Sequence, residues 1–176
     1  DASGVETSEG RRPLDTRPYF ARLTQALVTA LTAPMAEGRL YEVDMRLRPS
    51  GRQGPVATSL DAFKDYQQNQ AWTWEHLALT RARAIAGNPV LTSTIEDFRQ
   101  TLLRTKSTGA TVLADVADMR GRIADAKPII AGGEAKIGAG RLQDIELFAQ
   151  SVALICGSPE RDLSAQLKSG VADGWL

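Results

Sequence analysis

The chain carries one cysteine and one histidine, so the side chains most used for zinc binding and nucleophilic catalysis are almost missing. A lone Cys156 excludes an internal disulfide framework and agrees with a reducing cytoplasm. It follows Val152-Ala153-Leu154-Ile155, which marks it as a buried, inert thiol. His76 has no second His and no second Cys to complete a zinc site. No nucleophile elbow or third group accompanies it, which argues against Ser–His or Cys–His catalysis. There is also no excess charge: 21 Lys and Arg balance 21 Asp and Glu. No global field therefore draws the chain to nucleic acid or to a membrane surface. No uninterrupted apolar run reaches the ~20 residues of a membrane span. An initiator Met and the apolar core of a signal peptide are lacking at the start, so the sequence reads as a segment of something longer. Internal repeats, low-complexity runs and heptads are absent.

The glycine-rich stretch 131–140 lacks the Lys-Ser/Thr ending of a Walker loop and follows no strand signal, which argues against an NTP cradle there. As the lead-in to a helix, it still offers backbone amides to an anion.

What is present is organised around residues 39–48, Arg39-Leu40-Tyr41-Glu42-Val43-Asp44-Met45-Arg46-Leu47-Arg48, followed by Pro49-Ser50-Gly51. The alternation predicts a β-strand, with Tyr41, Val43, Met45 and Leu47 on one face and Glu42, Asp44, Arg46 and Arg48 on the other. A carboxylate beside two guanidinium groups suits a metal-bound, phosphate-bearing substrate. An exposed sheet face laced by cross-strand ion pairs has the same pattern, and spacing alone leaves both readings open.

Around this stretch the pattern is helical. Thr16 and Pro18 predict a helix start, with Phe20, Leu23, Leu27, Ala30 and Leu31 forming one stripe and Pro34 near its end. A loop rich in turn residues covers 49–55, and Ser59 opens a second helix. Residues 71–86 read as a central helix with apolar residues on more than one side. Its Glu75 is expected to pair with Arg81 or Arg83, unless an arginine is kept for substrate. Asn88-Pro89 starts a helix to about Arg104, and 110–126 predicts a long one. Asp144 and Glu146 sit in the first turns of another that runs to about Cys156, where the helix dipole favours negative charge. Gly157-Ser158-Pro159 ends it, and an amphipathic piece with Leu163, Leu167 and Val171 closes the chain. A short hairpin around 131–140 is a further expectation.

Three stretches resemble the glutamine synthetase adenylyltransferases, bacterial regulators of nitrogen assimilation. They are 41–51, Ala71-Trp72-Thr73-Trp74-Glu75-His76-Leu77-Ala78-Leu79-Thr80-Arg81-Ala82-Arg83, and Asp144-Ile145-Glu146-Leu147-Phe148-Ala149-Gln150. They occur in the family's order, and the resemblance covers nearly the whole chain. The Arg-Pro-Ser-Gly and Ala-Trp-Thr-Trp-Glu-His wording is similar to the C-terminal, adenylylating half. The resemblance implies a mainly α fold: the last strand and helices of a polymerase-β-type nucleotidyltransferase domain over 1–87, then a helical bundle over 88–176. It implies AMP transfer from ATP to a tyrosine of glutamine synthetase in the cytoplasm, with two Mg2+ ions. PII signalling protein and glutamine would act as regulators, with no nucleic acid or membrane partner. Asp44 matches the third metal aspartate, and Arg46 and Arg48 would meet phosphates or fix Asp44. Arg81 and Arg83 are further phosphate-binding candidates.

The pattern also departs from the family. The Gly-Ser motif and the Asp-x-Asp pair that should come first do not occur in 1–38, and Asp1 and Asp15 lie outside any strand signal. Arg141 and Leu147 replace the family's usual glycine and phenylalanine. Isolated, the chain is therefore expected to be inactive, and cutting a sheet at this strand would favour dimerisation or strand loss. Two other readings stand beside this one. The chain could be a non-catalytic helical module for PII or glutamine synthetase, or it could belong to the deadenylylating half or a related uridylyltransferase.

Overall fold

The computed structural model describes residues 7–106, 109–126 and 135–176. Its fold is mainly α, and its contacts divide the chain into two compact units, Asp1–Asn69 and Gln70–Leu176.

The first unit opens with α1, Thr16–Thr32, which stops where Pro34 can no longer donate a backbone bond. The Ala33 amide closes the last turn onto the Thr29 carbonyl at 2.9 Å. A hairpin follows, β1 Pro34–Met35 and β2 Gly38–Arg39, antiparallel with Met35 opposite Gly38. The strand expected over 39–48 is not formed beyond Arg39. Residues 40–45 carry no regular structure, and 46–50 make turns. The physical reason is the lack of a neighbour: a strand is held by its ladder, and among the described residues β2 pairs only with β1. Helix α2, Leu60–Asn69, begins as expected, with the Ser59 hydroxyl accepting the Ala62 amide at 3.3 Å.

The second unit holds the buried core. Its helices are α3 Thr73–Leu79, α4 Pro89–Thr105, α5 Gly109–Ala126, α6 Leu142–Ile155 and α7 Leu163–Ala172. Asn88 caps α4 by accepting the amides of Val90 and Leu91, with Pro89 at the first position. Leu77, Leu103, Val112, Val116, Leu154 and Ile155 form one cluster, so α3, α4 and α5 all close on α6. Residues 131–134 of the considered hairpin lie outside the described residues, and 135–140 form bends and a turn.

Helix α3 is shorter than the stretch 71–86 expected to be helical. It stops at Leu79, and side chains from other elements donate to carbonyls at and beyond its end. Arg99 Nη1 donates to the carbonyls of Leu79 and Thr80, and Arg161 Nε donates to that of Ala82 at 2.8 Å. Arg81 and Arg83 therefore sit beyond the helix.

Helix α7 lies so close to α6 that position 170 admits only glycine. A Cβ there would sit 2.4 Å from Val152 Cγ1 and 3.1 Å from Leu176 Cδ1. Gly170→Val is expected to cost about 1–3 kcal/mol through overpacking, seen as a lower urea midpoint. An unchanged midpoint would contradict this packing.

Candidate functional site

The charged residues singled out around 44 come together, though not on a sheet face. Two positions apart, with Met45 between them, Asp44 and Arg46 point the same way, as alternate residues of an extended segment do. Arg46 Nε lies 2.9 Å from Asp44 Oδ1 and 2.7 Å from Oδ2, its Nη2 is 2.5 Å from Oδ2, and its amide donates to Oδ1 at 2.9 Å. The guanidinium and amide bonds hold the Asp44 carboxyl at about 2, against an ordinary 3.8. The contact is thus fully present above pH 3.8 and is lost as the pH falls through about 2. In an NMR titration the Asp44 carboxyl carbon should move near pH 2, and Arg46→Leu should return the midpoint toward 3.8. A wild-type midpoint near 3.8 would rule out the pairing in solution.

Arg48 has a different task. Its Nη1 donates to the Met45 carbonyl at 2.5 Å, its Nε to that of Gly54 at 3.1 Å and its Nη2 to that of Arg52 at 3.2 Å. It wraps the turn after Pro49, where Ser50 takes a left-handed φ of 61° and a 3-10 turn covers Gly51–Gln53. Gly54 must lack a side chain, because a Cβ would lie 1.9 Å from the Pro49 carbonyl oxygen. The result is a firm turn immediately after the Asp44–Arg46 pair.

Arg81 and Arg83 belong to the second unit. Arg81 Nη1 reaches Glu146 Oε1 at 2.9 Å, and Arg83 is exposed. Arg81 and Arg83 are the two partners expected for Glu75. Glu75 accepts the Trp72 amide at 2.9 Å and closes the start of α3, while Arg81 goes to Glu146. The other motif carboxylate, Asp144, takes Arg120 Nε at 2.7 Å and the Gly140 amide at 2.8 Å. Arg120 and that amide lower its carboxyl below the usual range. The Asp-Ile-Glu motif thus ties α6 to α5 on one side and to the end of α3 on the other. Beside it opens a cleft of about 530 Å³, lined by Arg120, Ile123, Ile137, Gln143, Asp144 and Leu147.

Sequence reasoning missed Arg99, which is buried at 3% exposure. Besides the two carbonyls at the end of α3, it donates to Glu96 through Nε and Nη2 and to the Pro159 carbonyl at 2.7 Å. Arg161 joins Glu96 from the other side. The available signal was its place on the apolar stripe of α4, between Ile95 and Leu102. Cys156 is half-buried, and its thiol is pushed up to about 11 by burial, then by the hydrogen bond and charge of Asp173. It therefore stays protonated at neutral pH and is a poor nucleophile.

The residues present fit one coordination position of a divalent ion, not a whole site. Asp44 is a single carboxylate with both oxygens on Arg46, and no three His, Cys, Asp or Glu side chains gather among the described residues. No helix among them is long and apolar enough to cross a membrane.

The family model for glutamate-ammonia ligase adenylyltransferase matches residues 2–97. Over 161 residues, 92% of this chain, the sequence is 49% identical to a bifunctional glutamine synthetase adenylyltransferase/adenylyl-removing enzyme of Rhizobium meliloti (strain 1021). This chain belongs to the glutamate-ammonia ligase adenylyltransferase family. A protein of the same description from Mesorhizobium japonicum is 45% identical over 97% of the chain. Another, from Xanthobacter autotrophicus, is 46% identical over 91%. The chain spans only 16% to 18% of the length of these adenylyltransferases. The matched region 2–97 contains Asp44, Arg46, Arg48, Arg81 and Arg83.

Proposed function

We propose that the full-length protein transfers AMP from ATP to a tyrosine of glutamine synthetase, and that this chain contributes Asp44 to the catalytic site. The observation that carries the proposal is the 49% identity over 92% of the chain to a relative named for that activity. The local chemistry is compatible with it. A carboxylate held near pKa 2 stays anionic throughout the physiological range, and its exposed position leaves it open to other groups. Arg46 fixes the direction of that carboxylate. In this reading Arg48 shapes the turn beneath it, and Arg81 and Arg83 are the guanidinium groups that contact phosphate.

Magnesium, when bound, would neutralise and orient the triphosphate of ATP. Asp44 would hold one position of it, with the other ligands coming from polypeptide outside this chain. One carboxylate cannot do the work of a set, so the isolated chain is proposed to be inactive. PII protein and glutamine are proposed as regulators of the full-length protein, and the cytoplasm as its compartment. A second reading makes the helical unit a non-catalytic module for PII or glutamine synthetase. It is favoured by one observation, that Gln70–Leu176 closes a core of its own.

The test is label transfer from ATP labelled at its α-phosphate to glutamine synthetase. The full-length protein should label the synthetase, and this chain alone should not. Failure of the full-length protein to transfer label sinks the catalytic reading, and transfer by the isolated chain sinks its proposed dependence on outside ligands.

A further inference from the structure

We propose that Arg52 is a substrate-binding residue of the Asp44 site, where its guanidinium contacts the polyphosphate of ATP. The inference rests on the AMP-transfer reading and adds to it a residue outside the stretch 41–51 that carries the resemblance. The two arginines closest to Asp44 in sequence are already engaged. Arg46 holds both oxygens of the carboxylate. Arg48 places Nε, Nη1 and Nη2 on the carbonyls of Gly54, Met45 and Arg52. A guanidinium so fully used has few donors left for a phosphate. Arg52 differs from both. It is exposed, and neither its guanidinium nor its amide donates to an acceptor among the described residues. Its carbonyl is the group that is tied down, accepting from Arg48 Nη2 at 3.2 Å.

The turn brings this cation to the carboxylate. Ser50 and Gly51 take left-handed φ values of 61° and 54° in succession, which folds the chain back on itself. A Cβ on Gly51 would meet the Arg46 carbonyl oxygen at 3.8 Å, so the turn lies against the backbone of the Asp44–Arg46 pair. The bonds from Arg46 lower the Asp44 carboxyl most, and the charge of Arg52 adds to them. The chemistry then asks for what Arg52 has to give. The Asp44–Arg46 pair is neutral as a unit, whereas a magnesium-bound triphosphate keeps a net negative charge. A guanidinium with all its donors available, next to the carboxylate that would hold the metal, matches that charge and can bind phosphate oxygens in pairs. Because Arg48 fixes the backbone at 52, only the Arg52 side chain has to be ordered on binding, which keeps the cost low. Arg48 is thereby a positioning residue for Arg52.

Steady-state transfer to glutamine synthetase by the full-length protein, with ATP varied, tests the assignment. Arg52→Gln should raise KM for ATP by about 10-fold or more while kcat changes by less than ~3-fold, the pattern of lost substrate binding. Arg52→Lys keeps the charge and should bring KM back toward the unaltered value. The urea midpoint of both variants should match that of the unaltered protein, because the side chain has no partner within the chain. A KM that rises only together with a lowered midpoint would overturn the proposal, and so would a lysine variant as impaired as the glutamine one. Unchanged KM in Arg52→Gln while Asp44→Asn abolishes transfer would overturn it and leave the AMP-transfer reading standing. Full transfer by both variants would remove the Asp44 site and Arg52 with it.

Discussion

Asp44→Asn in the full-length protein should reduce AMP transfer to glutamine synthetase by on the order of 10³-fold while leaving the fold intact. The substitution keeps size and an oxygen for Arg46, but it removes the only negative charge in the Asp44–Arg46 pair. An amide is a poor ligand for a hard divalent ion and carries no charge to balance it. Asp144→Asn is the matching control. Its carboxylate is engaged by Arg120 and the Gly140 amide, so its loss should loosen the start of α6 without a comparable drop in transfer. Near-normal transfer by Asp44→Asn would make the charged stretch around it purely structural.

Arg99→Met should destabilise the chain by about 3–5 kcal/mol, the range for removing one partner of a buried, hydrogen-bonded ion pair. All five N–H groups of this guanidinium have acceptors: Glu96 and the carbonyls of Leu79, Thr80 and Pro159. Methionine fills much of the volume but takes the guanidinium donors away from those carbonyls and from Glu96. Burial alone would raise the Glu96 carboxyl. The bonds from Arg99 and Gln100 and the charges of Arg99 and Arg161 more than offset it, and the carboxyl is lowered overall. Its contribution is therefore present above its ordinary 4.5 and is lost as the pH falls below that value. Urea unfolding followed by circular dichroism at pH 7 and pH 4 measures both effects. A loss below about 1 kcal/mol at pH 7 would show that the network adds little beyond packing.

The helices of the second unit were legible because their cause is local. Leu91, Ile95, Phe98 and Leu102 repeat at helical spacing, Asn88-Pro89 is a start signal, and α4 forms where both point. Two features were not legible for the opposite reason. The apolar pattern of 71–86 continues to Ile85, but α3 ends at Leu79, and Arg99 and Arg161, distant in sequence, bind carbonyls at and beyond its end. Alternation over 39–48 identifies a segment suited to a strand, but pattern cannot supply the neighbour that makes it one. At the candidate site the proximity of Asp44 and Arg46 was readable from their spacing. That Arg48 turns back onto three carbonyls was not, because its turn depends on a left-handed Ser50 and on the space left by Gly54.

The most direct measurement is a calorimetric titration of Mg-ATP into three proteins: the full-length protein, its Asp44→Asn variant and this chain alone. If Asp44 belongs to a nucleotide site completed by polypeptide outside this chain, only the unaltered full-length protein binds with substantial affinity. The variant should bind at least ~10-fold more weakly, and the isolated chain should show no saturable heat. Equal binding by all three would place the nucleotide elsewhere and remove Asp44 from the site.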